Sequence, residues 1–263
     1  MGDVIVRPVG PLLRQWRQRR RLSQLALAVE AEVSARHLSF VETGRSAPSR
    51  EMVLRLAEHL DVPLRERNEL LLAAGYAPVY PHATLDSPEL GPVLDTVRLV
   101  LRAHEPYPAV ALDRHWNLLA ANAALPLLTA GVAAHLLQPP VNALRLSLHP
   151  QGLAPRIVNL AQWRAHLLAR LRRQAALTGD PVLTALHEEL RATPGGGPDT
   201  SGAPGPADVV VPLRLRHDGA ELRLLSTVST FGTPLDVTVE ELSVESFFPA
   251  DEATAGHLRR AAR

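Results

Sequence analysis

From residue 11 onward, apolar positions recur at helical spacing in short, separately capped runs, which predict five helices before residue 76. Leu12, Leu13 and Trp16 mark the inner face of a helix over 11–20. Ser23 suits the N-cap of the next, with Leu25, Ala28 and Val29 as its buried face. Glu32 and Val33 carry a tight turn. Ser34 then caps a third helix that turns Leu38 and Val41 inward, and Gly44 ends it where left-handed backbone is wanted. Ser49 opens a fourth helix, with Met52, Val53, Leu56, Ala57 and Leu60 on one face. Pro63 starts a fifth, with Leu64, Leu70 and Leu71 apolar and Gly75 as its stop.

The pattern then changes. Residues 76–88 hold three prolines and read as connecting chain. A helix from Pro88 to His104 follows, its stripe of Leu90, Val93, Leu94, Val97 and Leu101 suited to packing on a domain or to dimerisation. Ala109 to Ala121 alternates about a bend at Asp113 and Arg114, as a hairpin does. Asn122 begins an Ala- and Leu-rich helical stretch broken at Pro139 and Pro140, and a short segment from Val141 to His149 follows. A long helix is expected from Pro155 to Leu177, with Leu160, Trp163, Leu167 and Leu171 inward and Arg164, Arg170, Arg172 and Arg173 in water. Asp180 and Pro181 cap another, ending near Ala192. Residues 194–206 form a Gly/Pro-rich insertion expected to be flexible. Val209–Arg216 and Glu221–Thr230 flank His217-Asp218-Gly219, a strong hairpin signal, and a third strand is expected over Asp236–Phe247. Asp251 caps a last helix that lays Ala255 and Leu258 on this sheet.

These elements give an α+β protein. An all-α five-helix domain over 1–77 and a linker over 78–88 precede an α+β domain with an antiparallel sheet over 89–263. Two strands, several helices and a three-stranded meander follow one another as in a PAS-like domain.

Composition narrows the chemistry. All 28 basic residues are arginine, and the chain has no cysteine. This excludes disulfides, thiolate zinc sites, a cysteine nucleophile, a Walker lysine and a Schiff base. The 11 histidines show no i,i+4 pair, and no HExxH, GxSxG or GxGxxG run occurs, so neither catalysis, a metal nor a cofactor is expected. Lacking a long apolar run or a leader, the chain is expected to be cytoplasmic, with no membrane partner.

Helices two and three, joined by a tight turn, suit a recognition helix entering the major groove with its predecessor laid across the backbone. Arg36, His37 and Ser39 lie outside. Arg36 suits a base reader, because a guanidinium can hold guanine O6 and N7 together, with a phosphate contact as the alternative. His37 and Ser39 could touch either base or phosphate. Arg14, Arg45 and Arg50 suit the phosphate-facing rim or plain solvent.

The run Leu13-Arg14-x-x-Arg17, Leu22-Ser23-Gln24, Val33-Ser34, Leu38-Ser39, Glu42-x-Gly44-Arg45 and Pro48-Ser49 resembles the phage-repressor (Cro and xenobiotic-response-element) helix-turn-helix family over residues 10–75. That resemblance implies a phosphate or outer-base contact for Gln24 and base contacts for Ser34, Ala35, Arg36, Ser39 and Phe40. It also implies an internal pair between Arg17 and Glu42. Arg21 stands where that family commonly has glycine.

In the second domain, Leu112-Asp113-Arg114-x-Trp116, Ala121-Asn122-x-Ala124, Asn142-x-Leu144-Arg145-x-x-Leu148-His149-Pro150, Trp163 and Phe231-Gly232-Thr233 resemble the MmyB-like ligand-binding domain. Asp113 and Arg114 read as a turn salt bridge. Trp116, Leu144, Trp163 and Phe231 are candidates to line a cavity or to fill a core, and Asn122, Arg145 and His149 are the polar candidates. Arg145 or His149 would meet a carboxylate. The implied protein is a homodimeric transcriptional regulator on a palindromic double-stranded operator. Its second domain would sense a small, mainly apolar ligand such as a fatty acyl chain. Two rivals stand beside it: a protein-interaction module with a filled interior, and an enzyme that regulates its own operon.

Overall fold

The computed structural model describes residues 8–193 and 210–262. The insertion expected over 194–206 lies outside them. The chain divides into two units, Met1–Thr84 with Thr233–Glu240, and Leu85–Gly232 with Glu241–Arg263.

The first unit contains α1 (Val9–Arg19), α2 (Gln24–Glu30), α3 (Ala35–Glu42), α4 (Arg50–His59) and α5 (Leu64–Ala73). Serine oxygens accept the first free amides of three of them: Ser23 from Ala26, Ser34 from His37 and Ser49 from Met52. Each such cap is worth about 1 kcal/mol. Leu13, Trp16, Leu27, Leu38, Val41, Leu56 and Leu71 share one buried cluster. The phase of α2 differs from the sequence reading. Leu25 and Val29 are 66% and 70% exposed, while Leu27, Ala28 and Ala31 are buried. The helix is rotated because Gln24 must turn in toward Glu42, which carries Leu25 outward. The first unit also takes in a short helix, α11 (Val237–Glu240), from late in the chain. Its Glu240 carboxylate accepts the Leu64 amide at the start of α5, and Thr238 donates its hydroxyl to the Ala83 carbonyl.

The second unit is built on an antiparallel sheet of β1 (Ala109–Leu112), β2 (Leu118–Ala121), β3 (Leu213–His217), β4 (Ala220–Thr230) and β5 (Ser243–Pro249), in the order β2-β1-β5-β4-β3. This is the PAS-like order. Strand alternation sends Val110 and Leu112 into the main core, and Ala109 and Ala111 to the opposite face. There they meet Val97 and Leu101 of α6 (Gly91–Ala103). The main core is covered by α7 (Leu125–Thr129), α8 (Ala143–Leu148), α9 (Leu160–Thr178) and α10 (Pro181–Ala192), with Leu258 of α12 (Glu252–Ala261).

Two boundaries and one side chain depart from the pattern. α9 begins at Leu160, because Asn159 and Val158 are tied to strand β3: Val158 donates to the Arg214 carbonyl and Asn159 Nδ2 to that of Pro212. The last strand begins at Ser243 because Asp236 accepts the Thr238 amide and opens the short helix α11. Arg170 leaves the expected solvated stripe, its guanidinium 4.3 Å from the Trp116 ring centre and 3.3 Å from Glu245 Oε1.

Candidate functional site

At the end of α3, Glu42 is almost wholly buried. Arg17 Nε and Nη2 donate to its two oxygens at 2.6 and 2.8 Å, and Gln24 Nε2 donates at 2.7 Å. Arg17 Nη1 reaches the Leu22 carbonyl at 2.8 Å. Three helices are thereby fixed to one carboxylate. Burial alone would raise the Glu42 pKa; the hydrogen bonds from Arg17 and Gln24 outweigh it and hold the carboxyl below its ordinary range. The charge of Arg14 acts in the same direction.

With its inner face locked, α3 presents its outer face. Arg36 is exposed, and Ala35, His37, Ser39 and Phe40 are half-buried. The guanidinium carbons of Arg36 and Arg45 lie 5.4 and 5.8 Å from the Phe40 ring centre, so one aromatic ring orients two cations. Ser34 is occupied as the N-cap of α3. Arg14 lies exposed on α1, and Arg50 exposed at the start of α4. Gln24 is half-buried, with its amide nitrogen turned to Glu42. Arg21, beside it, holds φ +58°, the backbone that accounts for a glycine there.

The seven ligand candidates of the second unit fall in separate places. Trp116, Leu144 and Trp163 belong to the main core, at 5%, 2% and 3% exposure. Their indoles are satisfied, Trp116 by Gln174 Oε1 at 2.8 Å and Trp163 by Ser147 Oγ at 3.0 Å. Phe231 packs with the cluster on the other face of the sheet. Asn122 is buried and fully engaged. It accepts from the amides of Ala109 and Ala124, and it donates to the carbonyls of Leu101 and Tyr107. Arg145 forms a two-bond pair with Glu189 at 2.7 Å on the surface, and His149 Nδ1 accepts the Gln151 amide.

Asp113 and Arg114 do not pair as a turn salt bridge. Asp113 closes the β1–β2 bend by accepting the amides of His115 and Asn117. Arg114 instead bonds Asp180, the N-cap of α10, and reaches Glu241 at 2.8 Å, with His115 Nε2 2.9 Å from the same Asp180 oxygen. The sequence marks Asp180 as a cap, but its arginine lies 66 residues away and leaves no local signal.

A groove of about 590 Å³ opens where Ala130, Val158, Arg156, Arg216 and Glu221 come together. Arg156 is committed to its walls, donating to the carbonyls of Leu127, Leu128, Ala130 and Arg216. None of the seven candidates lines this groove. No helix among the described residues is long and apolar enough to cross a membrane.

A capped helix-turn-helix with a cationic outer face is thus followed in the chain by a domain of PAS-like strand order. Residues 93–261 match the family described as the MmyB-like transcription regulator ligand binding domain, and the chain belongs to that family. Residues 9–70 match a helix-turn-helix domain. A protein of Methanoculleus marisnigri, named as an HTH-type transcriptional regulatory protein, is 36% identical over 124 residues. That match takes in 45% of this chain and 40% of the relative, so the chain spans well under two thirds of that relative's length. The chain thus carries a helix-turn-helix domain ahead of a ligand-binding domain of the MmyB-like transcription regulator family.

Proposed function

We propose that the protein binds a palindromic operator as a homodimer, inserts α3 into the major groove, and changes its DNA affinity when the second domain takes a small, mainly apolar effector. The observation that supports this most is the lock of Arg17 and Gln24 on Glu42, which leaves Arg36, His37 and Ser39 on a fixed outer face. One short helix reads too few base pairs for specificity, so a two-fold pair of half-sites about 34 Å apart is the economical arrangement. Effector control follows from linkage: a ligand that favours the DNA-competent form must itself bind more tightly on the operator.

The groove beside Val158 has the size of a small-molecule site. A carboxylate on the effector would meet Arg216 there, because Arg145 is held by Glu189. A second reading keeps a specific observation on its side. The main core is filled by Trp116, Leu144 and Trp163, which suits a domain that binds another protein.

Two experiments test the proposal. Selection of the full chain against random duplexes should recover two-fold symmetric half-sites one helical turn apart, and asymmetric or unenriched pools would contradict the dimer. Solvent extraction of the purified protein, followed by titration of acyl chains of several lengths, should give a thermal shift. An empty extract with no shift would leave the interaction reading in place.

A further inference from the structure

His217 and His257 stand 40 residues apart in sequence, so no spacing rule links them. The fold brings them together. His217 is the last residue of β3, buried at 9% exposure, and the tight turn that follows uses left-handed backbone at Asp218 (φ +46°) and Gly219 (φ +75°). His257 rises from α12, which is anchored by Thr254, Ala255 and Leu258 and capped by Asp251. Nδ1 of His217 lies 3.0 Å from Nε2 of His257 and 3.6 Å from Oδ2 of Asp218. The donor atoms of all three residues lie within 4.8 Å of one another.

We propose that His217, Asp218 and His257 form a binding site for a divalent transition-metal ion, with Zn2+ the best match. Two imidazoles and one carboxylate make a donor set of borderline softness, which suits Zn2+, Co2+ or Ni2+ over Ca2+ or Mg2+. An ion about 2.0–2.1 Å from both ring nitrogens would subtend roughly 95° at their 3.0 Å separation, within the range such ions accept. The rings meet edge to face, and the 3.0 Å contact between their nitrogens is a hydrogen bond that a bound ion would replace. Two of the three donors sit on regular elements, β3 and α12, and the third, the exposed Asp218 carboxylate, on the turn that directly continues β3.

Three protein ligands leave a fourth position for water. The site borders the groove, whose lining includes His217 and Asp218. It does not depend on that groove taking an effector.

The test is equilibrium dialysis of the chelator-stripped full chain against Zn2+, with Co2+ absorption as a second readout. The wild type should take up one ion per chain. His257→Ala and Asp218→Asn, both changes at the rim of the fold, should weaken uptake by at least about tenfold while circular dichroism stays unchanged. His217→Asn should do the same; because that residue is buried, the two rim variants decide if it fails to fold. No uptake by the wild type, or equal uptake by His257→Ala, would overturn the site. DNA and acyl-chain binding measured on the same samples report on the regulator reading separately.

Discussion

Arg17 and Glu42 form a two-bond ion pair across 25 residues, at 2.6 and 2.8 Å, with the carboxylate 1% exposed. A buried pair of this kind contributes little net stability over an apolar replacement, but removing one partner strands the other's charge. Arg17→Met and Glu42→Leu should each destabilise the N-terminal domain by ~3–5 kcal/mol, and the double variant by much less than their sum. Thermal unfolding of all three checks this. An unchanged melting temperature for Arg17→Met together with lost DNA affinity would make Arg17 a DNA contact.

The same carboxylate sets an acid response. Its pKa is depressed in the folded state, where burial is outweighed by hydrogen bonds from Arg17 and Gln24. The folded form therefore binds its proton less readily than the unfolded chain, whose glutamates titrate near about 4.3. The stabilisation is fully present above that value and is lost as pH falls toward the lower folded-state pKa. Melting temperature against pH between 7 and 3 should fall at the acid end, and the part due to Glu42 should vanish in Glu42→Gln.

Arg21 holds a left-handed backbone at φ +58° in the turn before α2. That conformation costs a side-chain-bearing residue ~1–2 kcal/mol, against about 0.5–1 kcal/mol of extra chain entropy for glycine. Arg21→Gly should raise the melting temperature by the equivalent of up to ~1 kcal/mol, and a clear decrease would show that the arginine side chain itself stabilises the turn.

Asn122 joins β1, the end of α6 and the start of the α7 region through four hydrogen bonds. Asn122→Ala strands buried backbone groups at ~1–3 kcal/mol each. The second domain should unfold at lower denaturant concentration with no effector present. Unchanged stability with weakened effector binding would return Asn122 to the ligand.

The helical domain was legible in the sequence because its signals are local. Ser23, Ser34, Ser49 and Gly44 mark helix ends wherever they occur, and Leu38 and Val41 follow the helical period. The phase of α2 was not, since Leu25 and Val29 match the period as well as Leu27 and Ala28 do, and only the bond from Gln24 to Glu42 chooses between them. In the second domain the two hairpins were legible from their turns. The start of β5 was hidden because Val237 and Val239 alternate as a strand would, yet Asp236 caps them into a helix. Arg114 with Asp180, and His217 with His257, join distant segments and leave no periodic trace.

On the proposed function, α3 reads DNA through Arg36. Fluorescence anisotropy at one fixed salt concentration, on a selected operator and a scrambled duplex, tests it most directly. Arg36→Ala should weaken operator binding by ~1–3 kcal/mol, roughly five- to 150-fold, and relax preference at one base position, while Arg14→Ala weakens both duplexes alike. Equal loss on both duplexes for Arg36→Ala, or unchanged binding to the operator, would contradict base reading by Arg36.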